Sequence, residues 1–485
     1  MASPPDAISL AARFVRALGF EPTHDQRRAF EAVARLLLTQ EAGACLVLQG
    51  AAGTGKTSLL KAVVAVLYEL EAHVVLMAPT GRAAKVLAGR TGQEASTLHK
   101  VIYDTETSLS GSVRYRPRRN SDPQDAVYIV DEASMIGEDR GESGGSLLHD
   151  LVGYVYGEEP GRKLIFLGDP YQLPPVGAPD SPALAVSYLR RNYGLVAGKV
   201  QLTEVRRQGV GSGILQVATA LREAQDRVRE AGEVGPLPTV PHLPDVLALP
   251  DTQAVVDTFL ERYDPDDPDS VVAVCYSNGI AAQLNAAIRQ RLYDDPEPLV
   301  KGDRVMVVKN FYRQSFHALP FIANGDMGLV TRTFPETADE KFGQRWLEAL
   351  VAFQEPSGRV VDLSATVPTS LLLGKAPNLT SAELKAIWDG RLEELARASD
   401  KKPDRKDLKA DPYLGALQLK FGYAITGHKA QGGQWRTVIV VFEPYLVNRH
   451  LAEDPVGFLR WSYTALTRAS EVLYLYNSPF GAVGT

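Results

Sequence analysis

The residues best suited to chemistry form a glycine-rich stretch at positions 50–57, which reads GAAGTGKT. It fits the pattern G-x-x-x-x-G-K-[ST], with a strand-like apolar run at 44–49 before it and an amphipathic run at 58–70 after it. Glycines let backbone N–H groups close around phosphate oxygens, and a helix amino end adds partial positive charge. The Lys56 ammonium can reach the β- and γ-phosphates of ATP, and the Thr57 hydroxyl can ligate Mg²⁺. A plain glycine-rich turn is the alternative, but the flanking runs favour a nucleotide-binding loop. The residues expected to line the nucleotide are Gly53, Thr54, Gly55, Lys56, Thr57 and Ser58.

A second chemical element is the string VYIVDE at 127–132, in which an apolar strand ends in two carboxylates. This is a usual place to hold Mg²⁺, here through Asp131. Glu132 can polarise a water for attack on the γ-phosphate. A surface Asp-Glu pair after a strand is common in isolation, but beside a phosphate loop it indicates hydrolysis rather than binding alone.

Several strings occur in an order that resembles the superfamily-one DNA helicases of the RecD and Dda type, from residue 24 to about residue 470. The strings GDPYQLPPV and YTALTRA are the most specific. The full set is HDQ at 24–26, the phosphate loop, APTGRAA at 78–84, STLH at 96–99, DEASM at 131–135, GDPYQLPPV at 168–176, LTEVRRQ at 202–208, TGHKAQG at 426–432 and YTALTRA at 463–469.

The resemblance implies roles around the nucleotide. Gln26 resembles the glutamine that reads adenine, Gln172 the sensor between γ-phosphate and DNA, and Gly432 a residue beside the nucleotide. Arg207 and Arg468 resemble arginine fingers from a second motor domain, since guanidinium groups suit the charge that develops on a transferred phosphoryl group. Taken alone, each glutamine would be an ordinary polar residue and each arginine a surface ion-pair partner.

Two details of these strings stay open. The residues alone do not choose between Arg206 and Arg207, and only alignment on LTEV-x-R selects Arg207. Many relatives carry an acidic residue shortly after AQG, where it is thought to contact ribose, but this chain has GQW at 433–435. Recognition of the ribose is therefore not implied.

The resemblance also implies contacts to single-stranded DNA. Short hydroxyl and imidazole groups can hydrogen-bond phosphate weakly enough to release it in every cycle. For His99 and His428, a capped or buried histidine is the plain alternative. The expected DNA-contacting residues are Pro79, Thr80 and His99 in the first half, and Asn278, Thr426, His428 and Lys429 in the second.

The stretch 101–119 reads VIYDTETSLSGSVRYRPRR, with two strand-like runs around a Ser-Gly-Ser turn and arginines on the return. It predicts either a β-hairpin that acts as a pin to part the duplex, as in relatives, or a solvated basic loop. The two readings are evenly balanced.

Short, nearly all-apolar runs closed by polar clusters predict parallel strands buried on both faces. They recur on each side of residue 200, which indicates two α/β layers. The resemblance implies that the two layers are two RecA-like P-loop NTPase motor domains, each with a parallel sheet flanked by helices. The expected boundaries are 1–199, including a hairpin insertion at about 101–122, for the first domain and 200–300 plus 412–485 for the second.

Between the two parts of the second domain the pattern changes to antiparallel strands with turns at 324–325 and 356–358. Residues 301–375 are expected to form an inserted small β-barrel, which the resemblance makes SH3-like. Residues 376–411 suit a helical arm or a plain connector. The proline-rich segment 236–250 is expected to be a loop or linker. Residues 1–20 suit an amphipathic helix that packs against the first domain.

The composition of the chain excludes several classes of protein. The 485 residues are 45% hydrophobic and 23% charged, which excludes disordered, collagenous and disulfide-scaffold classes. The net charge of −6 argues against a generic basic coat but not against a local basic groove. Cys45 and Cys275 read as buried thiols in a reducing compartment. No signal peptide and no membrane span are apparent, so a cytoplasmic protein without membrane contact is expected.

Taken together, the resemblance implies an ATP- and Mg²⁺-dependent DNA helicase that moves 5′→3′ along single-stranded DNA and acts at forks and duplex junctions. Direction cannot be read from spacing. Two alternatives stay open: a switch subunit of a recombination or repair complex that never unwinds, and an RNA helicase. Single-strand-binding or recombination proteins are conceivable partners, and a monomer is favoured. Repair, replication, conjugation and phage growth all remain open as pathways.

Overall fold

The structure of the chain is a computed structural model. It describes residues 6–107, 113–138, 146–205, 212–232, 235–239, 243–294, 297–312, 321–337, 340–355, 358–398, 408 and 411–481.

The helices are α1 (Ala7–Leu18), α2 (His24–Leu38), α3 (Lys56–Glu69), α4 (Gly81–Thr91), α5 (Leu98–Ile102), α6 (Leu147–Tyr156), α7 (Val186–Tyr193), α8 (Gly213–Ala231), α9 (Thr252–Arg262), α10 (Asn278–Tyr293), α11 (Thr369–Leu373), α12 (Ser381–Ala398), α13 (Gly427–Ala430), α14 (Pro444–Glu453) and α15 (Pro455–Leu466). The strands are β1 (Ala44–Gly50), β2 (Val74–Ala78), β3 (Ala95–Thr97), β4 (Tyr103–Thr107), β5 (Val113–Pro117), β6 (Val127–Val130), β7 (Lys163–Gly168), β8 (Val196–Leu202), β9 (Val246–Leu249), β10 (Val271–Cys275), β11 (Arg304–Val307), β12 (Phe311–Tyr312), β13 (Phe321–Ile322), β14 (Met327–Thr333), β15 (Trp346–Gln354), β16 (Val360–Pro368), β17 (Leu419–Phe421), β18 (Ala424–Thr426), β19 (Trp435–Val441) and β20 (Ala469–Tyr476).

The first lobe is built on a six-stranded parallel sheet in the order β3-β2-β6-β7-β1-β8. Strands β1, β6 and β7 are buried along their whole length, as expected where helices cover both faces. Because the strands are parallel, the phosphate loop after β1, the acidic pair after β6 and Asp169 after β7 leave the sheet at the same edge. The sheet continues to Leu202, three residues beyond the boundary at 199 expected from sequence, because β8 pairs with β1 along its full length.

Helix α1 covers part of this lobe. Leu10 and Phe14 are buried, and the Phe14 ring stacks on Phe30 of α2 at 5.8 Å. The amphipathic pattern of the first residues therefore reflects packing on the first lobe.

The second lobe contains a five-stranded parallel sheet in the order β18-β10-β19-β20-β9. Val271 on β10 lies opposite Thr437 on β19, and the apolar side chains of both strands are buried. The expectation of a plain linker at 236–250 was wrong, because β9 lies within it. This four-residue strand sits at the sheet edge, where nearby prolines remove no ladder hydrogen bond.

A separate antiparallel sheet has the order β16-β15-β14-β11-β17. Leu417 N donates to Thr366 O at 2.8 Å, which joins the two ends of the sheet and curls it. Strand β17 corrects the sequence analysis, since it falls within 412–485 but pairs with β11, with Val305 opposite Phe421. Strands β12 and β13 form a small pair of their own.

The segment that follows contains helix α12. Ile387 and Trp388 are buried, and Arg391 on the same helix pairs with Asp411 at 2.5 Å. Helix α12 therefore packs against the molecule on one face. Within the part of the chain that the structure describes, no helix has the length and apolar character that crossing a membrane would need.

Candidate functional site

The phosphate loop has the backbone shape that its glycines permit. Gly53 and Gly55 adopt φ of +80° and +81°, which L side chains rarely tolerate. A Cβ on Gly50 would lie 2.7 Å from Thr54 Oγ1, so this position also needs glycine. Lys56 Nζ donates to Gly50 O and, at 3.0 Å, to Ala51 O. The lysine is thus held over the centre of its own loop.

Asp131 and Glu132 follow β6 directly and face the same loop. Burial raises the pKa of the Asp131 carboxyl, while Lys56 and Arg90 lower it. Burial and the neighbouring Asp131 raise the pKa of Glu132, and the Arg468 and Lys56 charges oppose that rise. Glu132 also adopts φ of +52°, a conformation that costs a non-glycine residue about 1–3 kcal/mol. A strained, poorly solvated carboxylate of raised pKa suits a general base.

The residues expected to hold Mg²⁺ have a suitable donor set. Thr57 offers a hydroxyl oxygen and Asp131 a carboxylate, both of the hard type that Mg²⁺ prefers. They share one patch, because Arg90 Nη1 donates to Thr57 Oγ1 at 3.2 Å and the Arg90 charge lowers the pKa of Asp131. No cluster of three or more His, Cys, Asp or Glu side chains suited to a metal occurs among the described residues, so substrate phosphate and water would complete such a shell.

Gln26 lies behind the phosphate loop and is fully buried. Its Oε1 accepts from Thr23 N at 3.1 Å in a capping box, and its Nε2 lies 3.5 Å from Thr54 O. Both ends of the amide therefore bind the chain itself. Adenine reading by Gln26 stays a prediction.

The two lobes meet beside the loop through the hydroxyl of Tyr463. This buried side chain donates to Asp169 Oδ2 at 2.8 Å and accepts from Ala52 N at 2.7 Å. Asp169 also lies 3.9 Å from Lys56 Nζ. A tyrosine of the second lobe thus contacts both the loop and its acidic neighbour.

A second group of bonds joins the GDPYQLPPV segment to the second lobe. Leu173 N donates to Thr464 Oγ1 at 2.9 Å, and Gln431 Nε2 donates to Leu173 O at 2.8 Å. Nearby, Gln172 is buried, and its Oε1 has no hydrogen-bond partner among the described residues. An unpaired acceptor beside the interlobe contacts is consistent with a sensor, a role that stays a prediction.

Arg468 is the second-lobe arginine that the structure brings to the acidic pair. It is buried, donates through Nε to Thr464 O at 2.9 Å and through Nη1 to Gly433 O at 3.1 Å, and its charge lowers the pKa of Glu132. Arg207, the other expected finger, lies outside the described residues.

Gly432 sits against α4. A Cβ on this residue would lie 2.7 Å from the Ala83 Cβ and 3.4 Å from Thr80 Oγ1. Its φ is +72°. The glycine therefore lets the second lobe approach the start of α4, whereas its predicted place beside the nucleotide is not tested.

The expected DNA-contacting residues fall into two groups, one on each lobe. In the first lobe, Pro79 and Thr80 precede α4, and the Thr80 hydroxyl caps it by accepting from Ala83 N at 3.2 Å. The His99 ring lies 5.6 Å from the rings of both Tyr103 and Tyr115, and burial lowers its pKa. Tyr115 lies on the return strand of the β4-β5 hairpin, whose turn at 108–112 is outside the described residues.

In the second lobe, Asn278, Thr426 and Lys429 line one groove together with Lys420. Burial lowers the pKa of Lys429 to about 8, and burial with the charge of Lys429 lowers that of Lys420 to about 8. His428 lies on the same short helix, α13, with an exposed side chain. Within the described part of the chain, no carboxylate offsets the lowered pKa of either lysine.

Several contacts at this site were missed by sequence reasoning. Asp25 accepts from Thr203 N at 2.8 Å and from Thr203 Oγ1 at 2.7 Å, which fastens the start of α2 to the end of β8. Asp25, Asp169, Tyr463 and Arg82 all lie in the quoted strings, which was a usable signal. Arg90 lies in none of them.

Comparison with known proteins agrees with this geometry. Residues 22–235 match the family described as AAA domain, and residues 421–476 match the UvrD-like helicase C-terminal domain. The ATP-dependent RecD2 DNA helicase of Deinococcus radiodurans is 28% identical over 455 residues, which cover 90% of this chain and 47% of that protein. The ATP-dependent DNA helicase dda of Enterobacteria phage T4 is 25% identical over 297 residues, covering 60% and 62%. The chain is therefore similar to ATP-dependent DNA helicases of the RecD2 and dda type.

The chain spans about half the length of the RecD2 relative and under two thirds of dda. Among solved structures, a Bacteroides Pif1 helicase in complex with ADP-AlF3 and ssDNA has a TM-score of 0.45 at 17% identity, covering 96% of this chain and 94% of that one. A Pif1 helicase from Candida albicans has a TM-score of 0.44 at 16% identity, covering 96% and 97%.

Proposed function

We propose that this chain is an ATP-dependent DNA helicase that moves 5′→3′ along single-stranded DNA and unwinds duplex at forks. The observation that carries the proposal is the meeting of two lobes over one acidic pair. Lys56 on the phosphate loop and Arg468 from the opposite lobe both lower the pKa of Glu132. A kinase of small molecules has no use for a complete second α/β layer with its own five-stranded parallel sheet.

Each residue where the two lobes meet at the nucleotide site has a defined chemical role in this proposal. Lys56 binds the β- and γ-phosphates, and Glu132 takes a proton from the attacking water. Arg468, with Arg207, stabilises charge on the transferred phosphoryl group. Thr57 and Asp131 would hold Mg²⁺, which supplies charge neutralisation for the phosphates when bound. Gln26 is proposed to contact adenine and Gln172 to report the γ-phosphate.

Movement along DNA would result from changes in the contact between the two lobes, because ATP would bridge them. Phosphate binding draws Lys56 and Arg468 toward one ligand, and hydrolysis removes that link. The contacts of Tyr463 and Leu173 then carry opening or closure from the nucleotide to the second lobe. If grip on the strand alternates between lobes, each cycle shifts the strand by a short step.

The strand is proposed to cross both lobes. It would contact Pro79, Thr80 and His99 on the first lobe and the groove of Asn278 and Lys429 on the second, together with Thr426 and His428. We further propose that the curled antiparallel sheet is an SH3-like barrel and that the β4-β5 hairpin is a pin. In this proposal the first motor domain extends to residue 202 and the barrel includes β17, in keeping with the pairing of β8 with β1 and of β17 with β11.

The test measures ATP hydrolysis with and without a DNA homopolymer, and unwinding of forked duplexes that carry a single tail of either polarity. We expect strong stimulation by DNA and unwinding only from a 5′ tail, with Lys56→Ala inactive in both assays. Indifference to any polynucleotide would instead favour a switch subunit. Preference for the polymer with 2′-hydroxyls would favour an RNA helicase.

A further inference from the structure

Arg90, near the end of α4, links the metal side of the nucleotide site to the opposite lobe. Its Nη1 donates to Thr57 Oγ1 at 3.2 Å, and its Nη2 donates to Gln434 Oε1 at 2.9 Å. One guanidinium therefore spans the first turn of α3 and the loop that follows α13. A planar fork with two donors on one side suits such a bridge, and lysine could not reproduce it.

The Thr57 contact conflicts with metal binding. The hydroxyl oxygen that accepts from Arg90 is the oxygen expected to ligate Mg²⁺. A guanidinium and a divalent cation at the same oxygen would repel each other at a few ångströms.

The Gln434 contact gives the guanidinium a second place to bind. Gln434 is exposed and lies between Gly432, which packs on α4, and Trp435, which is buried. The other end of α4 grips the same loop: Arg82 lies 3.9 Å above the Trp435 ring and its Nη2 is 3.4 Å from Gln434 O. Helix α4 therefore holds residues 434–435 at two points, close to Lys429 of the strand-binding groove.

We propose that Arg90 is a positioning residue that competes with Mg²⁺ for the Thr57 hydroxyl, and that Gln434 retains the guanidinium when the metal displaces it. Arrival of the metal–nucleotide complex would then tighten α4 on the loop of the second lobe. This inference rests on the proposed function, because it assumes that the loop binds a nucleotide with Mg²⁺.

The test measures the affinity of a fluorescent ADP for the chain, once in EDTA and once in Mg²⁺. The quantity compared between variants is the affinity in Mg²⁺ divided by the affinity in EDTA. In Arg90→Met, the metal no longer displaces a charge. We therefore expect this ratio to rise by about tenfold, within the ordinary range of coupling between two sites. Gln434→Ala removes the second binding place, so the ratio should fall below that of the parent chain. The double variant should equal Arg90→Met, since Gln434 acts only through Arg90.

Arg35→Met is the matched control, because Arg35 is an exposed arginine of the same lobe that pairs only weakly with Glu31, at 3.7 Å. It should leave the ratio unchanged. If Arg90→Met disturbs α4, Arg90→Gln makes the same test with a polar side chain. A parent-like ratio in both Arg90 variants, with ADP still bound, would overturn the inference alone. Failure of the parent chain to bind ADP at all would overturn the proposed function as well.

Discussion

At the scale of the residue, Glu132 combines a raised pKa, a left-handed backbone and the charge of Arg468. Glu132→Gln keeps the size and hydrogen-bonding reach of the side chain but removes the base. We expect ATP binding to persist while turnover falls by roughly 10²–10⁴-fold, the usual contribution of a general base. Because the pKa is raised, turnover of the parent chain should also decline on acidification at a higher pH than an ordinary glutamate would give.

Measurements of nucleotide affinity and of single-turnover hydrolysis distinguish an effect on ATP binding from an effect on ATP hydrolysis. Lys56→Ala is the companion variant, since it should lose phosphate binding itself. Unchanged turnover in Glu132→Gln, or a parent-like pH profile in that variant, would contradict the assignment of the base.

At the scale of the element, the β4-β5 hairpin projects from the first lobe beside His99. Its strands pair from Tyr103 opposite Pro117 to Thr107 opposite Val113, and Arg118 pairs with Asp104 at 3.0 Å. Replacing residues 104–115 by a short turn should abolish unwinding of forked DNA yet leave DNA-stimulated ATP hydrolysis, because the acidic pair and phosphate loop lie elsewhere. Both activities are measured on the same preparation.

A hairpin without arginines on its return strand distinguishes a pin from a basic loop. Arg114→Gln with Arg116→Gln keeps the length of both strands and removes two cations. Unwinding should survive these substitutions if the hairpin works as a wedge. Unwinding that persists in the shortened chain would remove the pin assignment altogether.

At the scale of the whole molecule, Lys420 and Lys429 link strand binding to pH. Their pKa values near 8 lie below the usual 10.5, so the unfolded chain binds more protons between pH 8 and 10.5, and stability should rise with pH in that window. DNA phosphates would raise both pKa values again. Binding of single-stranded DNA at pH 8.5 should therefore take up protons, and affinity should weaken as pH rises from 7 to 9.

Calorimetry in two buffers of different ionisation enthalpy measures this proton uptake. Lys429→Met should remove a large part of the proton uptake at pH 8.5. Equal binding enthalpies in the two buffers at pH 8.5 would contradict the placement of DNA in this groove.

Sequence reasoning succeeded where a pattern is local. The phosphate loop and the acidic pair each consist of a strand, a turn and a few side chains, so short strings of the sequence are enough to indicate both. It could not find the bridge of Arg90, because Gln434 is 344 residues away and no short spacing encodes that contact. Strand β17 was misplaced for the same reason, since its three residues reveal no partner until they pair with β11.

The two cysteines have a practical consequence for following the lobes in motion. Cys45 lies on β1 and Cys275 on β10, inside the two parallel sheets, and burial raises the pKa of both thiols. Maleimide dyes attack exposed thiolates, so the native chain should label very slowly. New cysteines at exposed Tyr68 and Tyr445 would place a donor and an acceptor fluorophore on opposite lobes. Energy transfer between the two dyes could then follow the closing and opening of the lobes in time, without replacement of either native cysteine.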